Sequence, residues 1–375
     1  MTKQTQEKQA AVAVWSVDGI GVVTYRKIAL FLANNALSWS DFWHQCARII
    51  PQLHINENIA ESCKKFKNEH SYAEYSEVLQ EKQIEPIMED DLRYPPLLCE
   101  LGVRPPVLFA RGNVPVTIRC PVAVVGTRRM TSYGQMATDK ITSELVAGGA
   151  TIVSGFMYGV DTQAHKTALA AGGSTVGILG FGFDTLYPRS NQRLFQEMLA
   201  HDGWFFTEYA PHVVPKPGNF LARNRLVAGM SLGVVVVEAG VRSGTHSTAT
   251  FAGDEGREVF AVPGPITNPY SEGTKALITE GARLITNGWE VLDEVGFSVG
   301  QSNAQPDETN VSSSAPLAAQ VLSYLKQEPA TASRLATRLG VAVSEVQEVV
   351  TLLELQGAVI RRGSQLIAQY KICQT

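Results

Sequence analysis

The stretch VAVVGTRRMTSYG, residues Val122–Gly134, sets the pattern for the middle of the chain. A short apolar run ends abruptly in a loop that carries glycine, arginine and hydroxyl side chains. Related stretches are TIVSGFMYGVDTQAH (Thr151–His165), FLARNR (Phe220–Arg225) and VVVVEAGVRSGTHSTA (Val234–Ala249). Ligands of an open parallel sheet bind beyond the carboxyl ends of its strands, so these loops are expected to converge on one rim. Their chemistry suits phosphate.

Buried strands alternate with helices between Pro121 and about Val295. The apolar runs show no regular polar alternation, which is typical of parallel strands covered on both faces. Predicted helices between them include Thr131–Val146 and Asn191–His201. The sequence therefore predicts an α/β fold with an extended Rossmann-like parallel sheet. Its predicted strands are Val107–Ala110, Val122–Val125, Thr151–Ser154, Thr175–Leu179, Trp204–Thr207, Gly233–Glu238, Glu258–Val262 and Arg283–Thr286.

The first part of the chain differs in composition from this region. Residues 1–85 predict a helical domain and residues 86–299 the Rossmann-like domain, which opens with a Pro-rich strap at Asp91–Pro115. In the helical domain, Gly19-Ile20-Gly21 resembles the hairpin of helix-hairpin-helix and SAM-like modules. Such a hairpin can present backbone N–H groups to a DNA phosphate. A plain turn between two packed helices fits the same residues.

The last part of the chain predicts a linker and a winged helix. Residues 300–316 are rich in Ser, Asn and Gln, and residues 317–375 show helix, helix, turn, helix and a two-stranded wing. Gly340 is expected to end the second helix and Ser344 to cap the third. Because the third helix, Val343–Leu355, is acidic, a protein contact or a weak DNA contact is favoured over sequence-specific DNA reading.

Composition indicates an ordinary soluble protein, which we expect in the cytoplasm. The 375 residues carry a net charge of −4, which argues against a generally basic nucleic-acid binder but allows a local basic groove. Five scattered cysteines without CxxC spacing fit reduced thiols and no zinc site. The N-terminus lacks the apolar core of a signal peptide, and no apolar run is long enough for a bilayer. We expect no metal, no cofactor and no membrane partner.

Gly126-Thr127-Arg128-Arg129 directly follows the first strand of the α/β region. Glycine lets the backbone approach a ligand, while Thr and Arg supply donors for phosphate oxygens. The alternative is a tight turn with two solvated arginines. The position at the ligand-binding edge of the sheet favours an anion-binding loop.

Ser154-Gly155 ends the second strand, and Asp161 is a candidate cap for the helix that follows. Gln163 and His165 face either the crevice or the interior. Catalysis by His165 is disfavoured because no nucleophile–base pair lies nearby.

Two later stretches carry similar chemistry. Arg223-Asn224-Arg225 lies at a predicted helix start or in its first turn, and Phe220 precedes it. The Phe220 ring either packs in the core or stacks on a base. Ser243-Gly244-Thr245 suits a nest of N–H groups and hydroxyls around a phosphate, a helix cap, or both.

Dehydrogenase chemistry is disfavoured by LGFGFDTLYP (Leu179–Pro188). This stretch has a GxG but lacks the third glycine and the acidic ribose reader of a dinucleotide site. No acid–base pair suited to proton transfer is evident in the sequence, so no catalytic residue is predicted.

Six linked blocks resemble the DNA-processing protein A (DprA/Smf) family. They span about Tyr94 to Ile285 and read VAVVGTR…YG, SG…GVD…AH, GFGFDTLYP, F…RNR, VVVVEA…SGT…TA and VFAVPG…SEGTKALITEGA. The resemblance implies a homodimer that binds single-stranded DNA and loads the RecA recombinase onto incoming DNA in natural transformation. By motif match, Arg128 and Arg223–Arg225 would line the DNA pocket beside the Ser243–Thr248 loop.

Loop chemistry and motif match together give one set of expected DNA-binding residues. One departure from the family pattern is Ala222, which stands where several relatives carry a basic residue and for which Lys216 can compensate. The expected set is Gly126, Thr127, Arg128, Arg129, Ser154, Gly155, Lys216, Phe220, Arg223, Asn224, Arg225, Ser243, Gly244 and Thr245.

The alternative function is a nucleotide-binding enzyme of the nucleoside-monophosphate phosphoribohydrolase type. Those fold relatives carry a PGGxGT loop followed by a glutamate needed for sugar-bond chemistry. The corresponding stretch here is EAGVRSGTHSTATFAGDE, where the next glutamate, Glu255, lies a few turns away. Binding is therefore favoured over catalysis.

Overall fold

The computed structural model describes residues 2–56, 58–241, 243–297, 314–325, 330–355, 359–362 and 365–368. The chain forms two compact units, Met1–Val299 and Gly300–Thr375. Within the described ranges, no helix has both the length and the apolar character needed to cross a membrane.

The first unit is built on one sheet. Its described strands are β1 (Glu85–Met88), β2 (Val107–Gly112), β3 (Pro121–Val125), β4 (Thr151–Ser154), β5 (Thr175–Leu179), β6 (Trp204–Thr207), β7 (Gly233–Val236), β8 (Glu258–Ala261) and β9 (Arg283–Leu284). Their order is β1-β2-β6-β5-β4-β3-β7-β8-β9. Strands β3 to β9 are mutually parallel, and β2 is antiparallel to both of its neighbours, β1 and β6.

The direction of the strand order reverses at β3. From β3 the chain proceeds outward through β4, β5 and β6, and then crosses to β7, β8 and β9 on the other side. Strands β3 and β7 are neighbours, with Val122 opposite Gly233. The loops that leave their carboxyl ends lead in opposite directions, which creates a crevice at this point of a doubly wound sheet.

Helices precede the sheet and cover both of its faces. In the first unit they are α1 (Lys3–Trp15), α2 (Val22–Asn34), α3 (Trp39–Ile49), α4 (Asn58–Glu69), α5 (Tyr72–Glu81), α6 (Ser132–Ala147), α7 (Val160–Ala170), α8 (Gln192–Ala200), α9 (Pro217–Gly229), α10 (Gly244–Asp254), α11 (Glu272–Thr279) and α12 (Gly288–Glu294).

Alternate residues of β3 enter different cores. Val122 and Val124 pack in a cluster with residues of α6, α7 and α12. Ala123 and Val125 pack in a second cluster with residues of α9, α10 and α11. All four are at most 5% exposed, so both faces of the strand are covered. The prediction of buried parallel strands from unalternated apolar runs is confirmed.

The N-terminal helices pack against the antiparallel edge of the sheet. Their core includes Val107 and Phe109 of β2, and the Trp15 indole N–H donates to the Glu208 carbonyl at 3.0 Å. The predicted hairpin is a turn between α1 and α2, in which Gly19 has a φ of +89° and Gly21 precedes α2 as its N-cap.

The observed sheet differs from the predicted one at an edge and at strand ends. Strand β1 was not expected, because four residues that include Pro86 carry little strand signal. With β2 antiparallel, the sheet is mixed rather than wholly parallel. Strand β7 ends at Val236 rather than Glu238, because the Ala239 N–H bonds to the Tyr270 carbonyl of another loop. Strands β8 and β9 end one and two residues earlier than predicted.

The second unit is a winged helix. It contains α13 (Ser314–Leu325), α14 (Ala332–Leu339), α15 (Val343–Leu355) and the antiparallel pair β10 (Val359–Arg362) and β11 (Gln365–Ala368).

Gly340 ends α14 with a φ of +69°, as predicted. Ser344 lies inside α15 and does not cap it, because the helix begins one residue earlier. Of the predicted linker 300–316, residues 300–313 lie outside the described residues, and α13 begins at Ser314.

Candidate functional site

A cavity of about 590 Å³ lies where the loops after β3, β4 and β7 meet the first turns of α9 and α10. This volume is in the range of about 300–1,000 Å³ that is typical of small-ligand sites. Eleven of the fourteen residues expected from the sequence line it: Gly126, Thr127, Arg128, Arg129, Gly155, Phe220, Arg223, Asn224, Ser243, Gly244 and Thr245.

The loop after β3 is held in place by backbone contacts. The Thr127 N–H donates to the Glu238 carbonyl at 2.7 Å, and the Thr127 hydroxyl accepts from the Arg129 N–H at 3.1 Å. A Cβ at Gly126 would approach Val160 to 2.6 Å, so only glycine fits beside α7. The loop is thereby ordered while the Arg128 and Arg129 side chains stay exposed.

The Glu238 side chain holds the same loop in place through hydrogen bonds. Its buried carboxylate accepts the Thr131 N–H at 2.9 Å, the Thr131 hydroxyl at 2.5 Å and the Asn268 amide at 2.9 Å. Sequence reasoning placed Glu238 at the end of a strand and missed this function. The sequence did not indicate the contact with Asn268, because this partner lies 30 residues further along the chain.

Arg128 and Phe220 meet at the cavity. The guanidinium carbon of Arg128 lies 5.6 Å from the centre of the Phe220 ring, a cation–π contact. Among the described residues Arg128 has no hydrogen bond or ion pair through its guanidinium. Phe220 also contacts the rings of Tyr187 and Phe181 and lines the cavity, so the ring packs against neighbouring aromatic side chains, and stacking on a base stays a prediction.

Arg223 forms the floor of the cavity. It is 3% exposed, and its Nη1 donates to the carbonyls of Gly155 and Ile178. Burial lowers the pKa of Arg223 to about 10, which leaves it positive at neutral pH. Phe220, Arg223 and Asn224 share one face of α9 because residues three and four apart lie on the same side of a helix.

Asp161 lies beside Arg223 and also lines the cavity. The predicted cap function of Asp161 is wrong, because Gly159, with a φ of +74°, is the N-cap and α7 begins at Val160. The Asp161 carboxylate instead accepts the Met157 N–H at 3.3 Å. Burial raises the pKa of Asp161 and the Arg223 charge opposes that shift.

His165 belongs to the interior rather than the crevice. Its Nδ1 lies 2.7 Å from the Thr175 hydroxyl, which itself donates to the Ile152 carbonyl. Burial lowers the pKa of His165 to about 3, so the ring is neutral at physiological pH.

The start of α10 faces the cavity. The Ser243 hydroxyl accepts the Thr245 N–H at 3.2 Å and caps the helix, while Ser243, Gly244, Thr245 and Thr248 line the cavity. The partial positive charge at a helix N-terminus favours an anion there. Asn224 ties α9 to this helix through the Ser247 hydroxyl at 2.8 Å.

Three expected residues do not line the cavity. Ser154 is buried and donates to the Val124 carbonyl at 2.7 Å. Lys216 is the exposed N-cap residue of α9. Arg225 is ion-paired with the buried Glu208 and donates to the Val103 carbonyl at 2.8 Å. Ala222 is exposed and does not line the cavity. The lack of a basic side chain at this position therefore leaves the charge of the cavity lining unchanged.

Tyr270 is a lining residue that sequence reasoning did not single out. Tyr270 lies in the loop after β8, which is the parallel neighbour of β7. The position of this loop beyond the carboxyl end of a parallel strand is the sequence signal that could have indicated a lining residue.

Comparison with known proteins places this geometry in a family. The family model for DNA recombination-mediator protein A matches residues 85–296, more than half of the chain. The chain belongs to the DNA recombination-mediator protein A family. A DprA winged helix domain model matches residues 305–364. Both matches confirm the resemblance noted in the sequence.

Relatives of this family are similar over most of the chain. Protein Smf of Escherichia coli is 37% identical over 278 residues, which cover 72% of this chain and 74% of that protein. DNA processing protein DprA of Streptococcus pneumoniae is 42% identical over 204 residues, covering 54% and 72%.

Two solved structures share the fold. The X-ray structure of DNA processing protein A from Streptococcus pneumoniae superposes with a TM-score of 0.63 at 32% identity, covering 78% of this chain and 98% of that one. A structure describing the single-stranded DNA binding mode of DNA processing protein A from Helicobacter pylori has a TM-score of 0.50 at 31% identity, covering 57% and 95%.

Proposed function

We propose that the cavity binds single-stranded DNA. The observation that carries this proposal is the exposed Arg128 guanidinium, which lines the cavity beside the N-terminus of α10 and, within the described residues, is paired with no carboxylate. A cation and a helix N-terminus together favour a phosphate. The Helicobacter pylori relative, for which a single-stranded DNA binding mode is described, supports the same ligand class.

The wider function we propose is that of a recombination mediator. A cytoplasmic homodimer would bind the incoming strand and load the RecA recombinase onto it during natural transformation. Family membership supports this proposal. The mass in solution, measured with and without an oligonucleotide, tests dimerisation and strand binding together. A monomeric mass at micromolar concentration would contradict the dimer.

We propose binding rather than catalysis, and the positions of the nearby glutamates support this; the acidic side chain that lines the cavity, Asp161, lies beside the Arg223 guanidinium. In the position of the phosphoribohydrolase glutamate, just after Ser243-Gly244-Thr245, this chain has Ser247 and Thr248. Glu255 caps the far end of α10, about 16 Å from its start at 1.5 Å per residue. The Glu238 carboxylate is engaged by Thr131 and Asn268. Release of free base from nucleoside monophosphates by the purified protein would overturn this proposal.

Fluorescence anisotropy with a labelled oligonucleotide tests strand binding directly. The substitution Arg128→Ala should weaken binding of every sequence and lower the slope of log affinity against log salt by about 0.7, the value for one lost phosphate contact. Arg193→Ala removes an equal charge from α8, where Arg193 pairs with Glu197 on the surface, and should leave the slope unchanged. Equal slopes for both variants would contradict a phosphate contact at Arg128.

A further inference from the structure

Helices α3 and α4 pack against each other in the core of the N-terminal domain. The rings of Trp43, near the start of α3, and Phe66, near the end of α4, meet edge-to-face with their centres 6.1 Å apart. Beside them, the Lys67 ammonium donates to the His44 carbonyl at 3.4 Å. The first half of α3 therefore lies against the second half of α4.

One turn further along α3 and one turn back along α4, this packing brings two cysteines together. Cys46 lies three residues after Trp43 and Cys63 three residues before Phe66, on the same helix faces as those rings. The two cysteines are 4% and 3% exposed, belong to one core cluster and are free thiols. Their side chains share a thiol–thiol hydrogen bond.

The two thiols differ in reactivity. The hydrogen bond from the Cys63 thiol stabilises a thiolate at Cys46 and lowers the pKa of Cys46, and the Lys67 charge acts in the same direction. The same hydrogen bond, together with burial, raises the pKa of Cys63. Because the thiolate is the reactive form of cysteine, Cys46 reacts first and Cys63 stands next to it as a second thiol.

The backbone at Cys46 is irregular and close to the surface. Gln45, directly before it, has a φ of −112° and a ψ of 15°, which interrupts α3. His44 and Ala47 on either side are exposed. A small oxidant therefore has a short path to the sulfur, and the interrupted turn allows the adjustment that brings two cysteine Cα atoms to the spacing of a disulfide.

We propose that Cys46 and Cys63 form a reversible disulfide when the protein meets hydrogen peroxide. This inference is independent of the proposed binding of DNA. The Cys46 thiolate attacks one peroxide oxygen, the O–O bond breaks, and hydroxide leaves, so that Cys46 becomes a sulfenic acid. Cys63 then attacks the Cys46 sulfur, the S–O bond breaks, and the hydroxyl leaves as water with the proton of Cys63.

The reaction is balanced by the peroxide. Two thiols and one molecule of hydrogen peroxide give one disulfide and two molecules of water, with two electrons passing from sulfur to oxygen. A dithiol reductant reverses the reaction by thiol–disulfide exchange and is itself oxidised.

The disulfide joins α3 to α4 and restricts the unfolded chain between them. Such a cross-link should raise the midpoint of thermal unfolding by about 5 °C. A lower midpoint in the cross-linked protein would show that the two helices are not placed for this bond and would contradict the inference.

Peptide mapping of the wild-type full chain tests the inference directly. The protein is treated with hydrogen peroxide, the remaining thiols are alkylated in urea, and the chain is digested with trypsin. Cleavage after Arg48 places the cysteines on separate peptides, residues 28–48 and 49–64. We expect one joined peptide, lighter than the sum of the two by two hydrogens, that separates again with dithiothreitol. Recovery of both peptides as alkylated thiols after a large excess of peroxide would overturn the inference.

Cys120 is the internal control for burial. It is 6% exposed and lies in a different core cluster. Burial raises the pKa of Cys120 to about 11. It should therefore be recovered as a thiol in the same digest. Cross-linking of Cys120 as extensive as that of Cys46 would show unspecific oxidation and contradict a dedicated pair.

Two variants separate the steps. In Cys63→Ser the reaction should stop at the Cys46 sulfenic acid, which dimedone labels, whereas in Cys46→Ser dimedone should leave Cys63 unlabelled. Equal labelling in both variants would contradict the order of the steps. If either variant does not fold, the wild-type map still decides.

Discussion

Arg225 and Glu208 form an ion pair in which both side chains are largely buried, at 17% and 8% exposure. The same Glu208 accepts the Trp15 indole N–H through its backbone carbonyl, and Arg225 also donates to the Val103 carbonyl. The pair thus joins α9, the N-terminal helices and the strap before β2. The family motif that contains Arg225 therefore combines a cavity residue, Arg223, with a structural one.

Substitution of Arg225 should reduce stability without altering the electrostatics of DNA binding. Arg225→Ala leaves the Glu208 carboxylate buried and unpaired, which costs about 3–5 kcal/mol in the free energy of unfolding. Urea denaturation should show this loss, while the salt slope of oligonucleotide binding should equal that of the wild type. The double variant Arg225→Met, Glu208→Leu should recover most of the stability. A reduced salt slope in Arg225→Ala would place this arginine on the DNA after all.

Phe220 should contribute to affinity without contributing to its salt dependence. Phe220→Leu removes the ring that faces Arg128 in the cavity, and stacking of a base on an aromatic ring is worth about 1–3 kcal/mol. Anisotropy should therefore show binding weakened by about tenfold or more at an unchanged salt slope. Phe195→Leu, on the buried face of α8, is the matched control for stability. Unchanged affinity in Phe220→Leu would assign the ring to core packing alone.

Glu238 should act on the cavity through the loop after β3. Glu238→Gln replaces the charged acceptor of three hydrogen bonds by a neutral amide, and hydrogen bonds to charged groups contribute about 1.5–3 kcal/mol each. We expect a lower urea midpoint and weaker oligonucleotide binding. Glu255→Gln, at the far end of α10, should change neither. A variant that is fully stable yet weak in binding would instead indicate direct contact between Glu238 and the ligand.

The buried His165 should make folding sensitive to acid. Its pKa falls from an ordinary value of 6.5 to about 3 on burial, so the unfolded chain takes up a proton at a pH where the folded chain does not. The free energy of unfolding therefore carries its full value above pH 6.5 and decreases as the pH falls from 6.5 toward 3. At pH 5 the loss is about 2 kcal/mol.

A comparison of two variants isolates this contribution. His165→Gln should flatten the pH dependence of unfolding between pH 6.5 and 4, whereas His201→Gln, at an exposed histidine that ends α8, should not. An identical pH profile in His165→Gln and wild type would show that this side chain is not responsible.

The sequence predicted the parallel sheet and most of the cavity because both follow from local pattern. Unalternated runs such as Val122–Val125 require cover on both faces, and parallel strands bring their carboxyl ends to one rim. Glycines and arginines placed directly after such runs therefore had to meet, and those of Gly126–Arg129 and Gly155 do.

What the sequence could not predict depends on distant partners or on side-chain direction. Arg225 carries the same charge as Arg223, and its pairing with Glu208 depends on where α9 lies relative to the loop after β6. Ser154 is the last residue of its strand, and its side chain points at the neighbouring β3 rather than at the loop. Asp161 looked like a cap because acidic residues favour helix starts, but the left-handed Gly159 takes that position.

The two arginines of the Arg-Asn-Arg stretch lie two residues apart, which turns them to opposite sides of α9. The effects of substitution should therefore differ between the two arginines of one motif. Variants at Arg223 are expected to lose both ligand binding and stability, because this side chain lines the cavity and also bonds two buried carbonyls, whereas variants at Arg225 are expected to lose stability alone. A screen that reads only cellular abundance would score the two alike, whereas the oligonucleotide affinity of the folded fraction would separate them.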